Sequence, residues 1–153
     1  MTTGFIHLHS FLRWFVLFAG IAAVVMYALG YFQKKPFGKN ESRISLIFMS
    51  LMDTQLLIGL YLYFAKGHFS NLTAGGVMGN AISRFFSVEH IFGMIISIVL
   101  VHLGHIASKK GEDNTRFRKG FIYFGLALLI MLLCIPWPFT TAGTGRHWLP
   151  GMH

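Results

Sequence analysis

The chain has 153 residues, 54% of them hydrophobic and 12% charged, with a mean hydropathy of +0.60. An ordinary soluble domain carries about 25% charged residues, so the composition excludes that class and points to membrane spans, each about 18 or more apolar residues long. The net charge of +8 does not mark a nucleic-acid binder, because the basic residues stand mostly at the ends of apolar blocks, where charge sets membrane topology.

The first apolar block covers 5–32 and opens on HLHSFLRW, with only Arg13 charged from residue 11 onward. It lacks a basic leader and exceeds the ~7–15 residues of a signal-peptide core, so a retained first span is expected. Lys34, Lys35 and Pro36 close it. The second block, 44–64, carries Asp53 and Gln55 within an otherwise apolar run. A glycine-rich connection over 67–79 leads to the third block, 85–107, which opens on VEHIFGM and holds Glu89, His90 and Gly93. The basic segment SKKGEDNTRFRK follows. The fourth block, 120–139, ends on IPWPF and is followed by a tail over 140–153 with Arg146, His147, Met152 and His153.

Each block is near the ~20 residues that cross a ~30 Å hydrocarbon core as a helix. The expected fold is therefore an all-α integral membrane protein, four transmembrane helices in an up-down bundle forming a single domain. Nine of the thirteen Lys and Arg lie in or beside the first and third connections. The positive-inside rule then puts those loops in the cytoplasm and both termini outside a bacterial cytoplasmic membrane. The single cysteine, Cys134, is expected to be a buried bystander.

On this topology six of the eight histidines fall on the outer half: His7, His9, His68, His90, His147 and His153. His9 lies ~6 Å into the first span and His90 ~8 Å into the third, at 1.5 Å per residue. Both spans run inward, so the two histidines stand at one level on different helices. Facing histidines are how a helical bundle holds a metal cofactor, and a haem iron accepts two axial imidazoles. Gly93, one turn after His90, is expected to leave room for a flat macrocycle. Arg13, one turn below His9, can pair with a propionate, with Glu89 or with Asp53; Arg146 can meet a propionate from the tail. Asp53 can relay protons or hold a quinone headgroup. In a haem-free reading, Arg13, Asp53, Gln55, Glu89 and His90 instead form a buried polar network. His105 is read as part of a solvated helix end.

HLHSFLRW, VEHIFGM and IPWPF together resemble a family of small bacterial four-span proteins generically labelled "cytochrome B", over most of the length. The resemblance implies b-type haem; the expected role is electron transfer with a quinol or a partner membrane subunit. The chain lacks the two histidine pairs of the large di-haem cytochromes b, so a single haem near the outer face is the expectation. The alternative is a haem-free accessory subunit of a larger membrane complex or of a homo-oligomer. No motif of a soluble enzyme selects a catalytic reaction.

Overall fold

The structure, a computed structural model, describes residues 2–144 and Trp148. Among the described residues there is no strand. Four long helices dominate: α1 (Thr2–Phe32), α2 (Lys39–Ala65), α5 (His90–Ala107) and α6 (Asp113–Cys134). Each is long and apolar enough to cross a membrane, the third counted from Ala81 through Ala107. The connection from α2 to α5 is not the plain linker its glycines suggest. It holds α3 (His68–Ala74), a 3-10 turn (Val77–Gly79), α4 (Ala81–Arg84) and a π-helical turn (Phe85–Glu89) that runs into α5.

The boundaries have local causes. Glu41 Oε2 accepts the Gly38 N–H at 2.9 Å, half of a capping box at the start of α2. Asn80 accepts the Ser83 N–H and starts α4. Helix α6 stops at Cys134, five residues short of the last apolar residue of its block, because Ile135 precedes Pro136 and is extended.

Helices α1 and α5 each pack against both α2 and α6. Small residues admit aromatic ones between α1 and α6. The Tyr27 ring sits where a side chain on Gly120 would be, and the Phe117 ring occupies the same place at Gly30. This reciprocal seating lets the helices approach closely, the usual device where helices pack in lipid. Tyr27, Phe48, Phe117 and Phe124 are fully buried around it. The outside is apolar: Leu133 is 73% exposed, Leu57 69% and Phe18 68%. Such a surface suits hydrocarbon and would be a gross liability in water.

Candidate functional site at the His9 end

The two histidines of the opening motifs meet. The rings of His9 on α1 and His90 at the start of α5 lie 6.3 Å apart, centre to centre, with planes 69° apart. Residues 81 apart in sequence are brought together because α1 and α5 both pack against α2 and α6 and both begin near this end.

His90 is oriented by the end of α6. Its Nδ1 lies 2.8 Å from the Cys134 carbonyl. A carbonyl only accepts, so Nδ1 carries the proton in this contact. The sequence explains why that carbonyl is available. The N–H four residues on would belong to Pro138, which has none. Pro136 likewise leaves the Leu132 carbonyl without a helical donor, and the Trp137 indole N–H takes it at 2.8 Å. The two prolines of IPWPF thus expose two carbonyls, and two ring N–H groups capture them.

The approach to His90 is set by the π turn. Its wider loop is closed by the His90 N–H bonding to the Phe85 carbonyl. The Tyr63 hydroxyl takes the Ser87 carbonyl at 2.9 Å. Phe85 and Phe86 stand 5.9 and 6.3 Å from the His90 ring, and Phe86 stacks on His68 at 5.6 Å. Single-turn π insertions of this kind recur at functional sites.

His9 rests on α2. Gln55 Nε2 donates to the His9 backbone carbonyl at 2.9 Å. Gly59 lies beneath the ring, and a Cβ there would stand 3.3 Å from His9 Cε1. Three buried polar atoms at this end make no hydrogen bond among the described residues: His9 Nδ1, Gln55 Oε1 and Ser87 Oγ. An unmet buried polar atom costs about 1–3 kcal/mol, so their concentration at one end marks a place built to meet something further.

The other expected site residues disperse. Arg13 donates to the Trp148 carbonyl at 3.1 Å, and its guanidinium lies 5.3 Å from the Trp14 ring centre. Trp14 donates to the same carbonyl, so Trp148 folds back over this end with Trp137 and Phe139 beside it. Glu89 pairs with Arg84 at 2.6 Å, near the surface. Asp53 pairs with His102 at 3.4 Å on a half-exposed face between α2 and α5. The single polar network expected from Arg13, Asp53, Gln55, Glu89 and His90 is therefore divided over several places. The space expected beside Gly93 is filled by the Cys134 thiol, which a Cβ on Gly93 would strike; close approach of α5 and α6 accounts for that glycine. Arg146, with His147, Met152 and His153, lies outside the described residues.

Sequence reasoning missed the Cys134 carbonyl, although the proline spacing signals it. It also missed Tyr63, Phe85 and Phe86, which sit beside the supposed linker, and placed His68 on the outer half without linking it to His90. His105 is corrected: it is buried, 6% exposed, with Nδ1 2.9 Å from Ser45 Oγ. That hydroxyl spends its one proton on the Ser42 carbonyl, so His105 donates and Ser45 accepts.

No group of three or more His, Cys, Asp or Glu placed to hold a metal occurs among the described residues. A haem iron needs only two protein ligands, and His9 and His90 are two imidazoles brought to 6.3 Å, centre to centre, at this end. The backbone carbonyl behind His90 is the support that ligating imidazoles ordinarily have. Compared with models of known protein families, with curated proteins and with solved structures, the chain matches none.

Proposed function

We propose that the protein is a b-type haem-binding membrane protein with His9 and His90 as axial ligands. The observation that carries this reading is the facing of the two rings at 6.3 Å, with His90 Nδ1 tied to the Cys134 carbonyl. His90 offers Nε2 to the iron, and the carbonyl fixes both its tautomer and its direction. His9 is supported from below by Gly59 and Gln55. Arg13 supplies a positive charge at the mouth for propionates, and Arg146 is a second candidate. A haem held there supplies one-electron redox chemistry. Phe85, Phe86 and Tyr63 exclude water from the His90 side, and Trp148 covers the α1 side.

The helices form an up-down bundle in a bacterial cytoplasmic membrane, both termini outside and the two basic loops inside. The charge asymmetry of the loops supports this orientation. The haem then lies near the outer face and exchanges electrons with a quinol or a partner membrane subunit, since one site at this depth does not reach the far side. The resemblance to the small "cytochrome B" proteins points the same way.

A haem-free accessory subunit is the second reading. It is favoured by the filling of the Gly93 gap by Cys134, where room for a macrocycle was expected. Reduced-minus-oxidised visible spectra of the purified protein separate the two. A b-type α-band is expected, and its absence sinks the haem reading. The band should vanish in His90→Ala with helicity retained by circular dichroism. Persistence there would refute the ligand assignment.

A further inference from the structure

At the opposite end of the bundle a groove of about 460 Å³ opens between the start of α2 and the start of α6. It is lined by Phe37, Gly38, Lys39, Ser42, Arg43 and Arg116. We propose that this groove binds the phosphate of an anionic membrane phospholipid. The proposal is independent of the haem reading, since it uses none of the same residues.

The groove is cationic and partly preset. Arg116 is held by its Nε donating to the Ser108 carbonyl at 2.8 Å, with its guanidinium 3.6 Å above the Phe37 ring centre. One charge is thus fixed in direction before any ligand arrives. Lys39 and Arg43 make no ion pair or side-chain hydrogen bond among the described residues, and both are exposed. The nearby acids are engaged: Glu41 on the Gly38 N–H and Asp113 on Arg116 at 3.5 Å. Three cations against two carboxylates leave the groove positive, and Lys34 and Lys35 in the preceding turn add to it.

What lies below the groove distinguishes a lipid from a free anion. Leu46 and Ile47 follow Arg43 by three and four residues, so they lie on its side of α2, one turn further into the apolar span. They are 48% and 51% exposed. A phosphate at Lys39 and Arg43 would therefore have its acyl chains along an apolar ridge of the same helix. Basic pockets at the ends of transmembrane helices hold anionic headgroups in this way.

The test titrates the full-length protein in neutral detergent with phosphatidylglycerol, phosphatidylcholine and inorganic phosphate, reading bound lipid by native mass spectrometry. Saturable binding of phosphatidylglycerol is expected, with phosphatidylcholine at least tenfold weaker and millimolar phosphate not competing. The double variant Lys39→Gln, Arg43→Gln removes two groove charges without removing an ion pair or side-chain hydrogen bond among the described residues, and should weaken phosphatidylglycerol about tenfold or more. A control at the same end, Lys109→Gln with Lys110→Gln, should change it less than twofold. Equal loss in both variants would mean bulk surface charge and overturn the site. Equal binding of the two lipids, or displacement by phosphate at comparable concentration, would overturn the lipid assignment.

Discussion

The two ends of the bundle handle buried polarity differently. At the end holding the basic loops, the fully buried Tyr27 donates within a network that reaches Ser108 and the Glu41 carbonyl, each at 3.2 Å. Ser108 also donates to the His105 carbonyl, His105 meets Ser45, and Arg116 takes the Ser108 carbonyl. None of the buried side-chain atoms without a partner lies there. At the His9 end, His9 Nδ1, Gln55 Oε1 and Ser87 Oγ are all unmet among the described residues. A closed network fixes helix packing and asks for nothing more; an open one is what a ligand completes. The lesson is that counting intramembrane polar residues does not locate a site. Both ends carry histidines, and only the balance of donors and acceptors separates them.

The largest expected effect comes from the same substitution made at each end. Gly120→Ala puts a methyl group into the Tyr27 ring, which is held on every side. Overpacking of this kind costs roughly 1–3 kcal/mol, which against an enclosed ring outweighs the gain of about 1 kcal/mol for alanine over glycine in a helix. Gly59→Ala meets only the edge of the His9 imidazole, at 3.3 Å. Its clash is offset by the gain of about 1 kcal/mol for alanine over glycine in a helix. Unfolding in mixed micelles, followed by circular dichroism, should show a clear loss for Gly120→Ala and little change for Gly59→Ala. The α-band should behave oppositely, shifting in Gly59→Ala and staying in folded Gly120→Ala. Equal stability losses would erase the contrast between the ends.

Much of the architecture was legible because hydrocarbon constrains so strongly. Four blocks of about 20 apolar residues leave few alternatives to four long helices, and the structure contains them. The level of His9 and His90 followed from counting residues at a fixed rise, and the rings do meet. Lateral relations were not legible in the same way. Nothing in the spacing of Asp53 shows that its partner is His102 on α5 rather than Arg13 on α1, because helix rotation is set by packing. His105 looked like a solvated end because it lies near charged Lys109 and Lys110; the helix turns it inward onto Ser45. The hidden signal was IPWPF. Two prolines spaced by two release two carbonyls, and counting backbone donors would have predicted that ring N–H groups take them.

Tyr27→Phe tests the closed end at a finer scale. The ring and its packing against Phe117 and Phe124 remain, and only the hydroxyl is lost. Its one proton serves either Ser108 Oγ or the Glu41 carbonyl, both at 3.2 Å, so one hydrogen bond is lost. Ser108 still donates to the His105 carbonyl, so the expected loss is about 1 kcal/mol, the usual net contribution of one buried hydrogen bond. The measurement is again the micelle unfolding midpoint, and the spectrum should not move.

Gln55→Leu, at the open end, should have the smallest effect on stability. It removes one good hydrogen bond, from Nε2 to the His9 carbonyl, worth about 1 kcal/mol. It also removes Oε1, a buried acceptor without a partner, whose burial costs roughly the same or more. The His9 carbonyl keeps its helical donor from α1. The two terms oppose, so the unfolding midpoint of the haem-free protein should stay within about 0.5 kcal/mol of wild type, where Tyr27→Phe falls by about 1. A loss as large as that of Tyr27→Phe would mean that Oε1 is already satisfied. In that case only His9 Nδ1 and Ser87 Oγ would remain open at this end, and the contrast between the two ends would narrow.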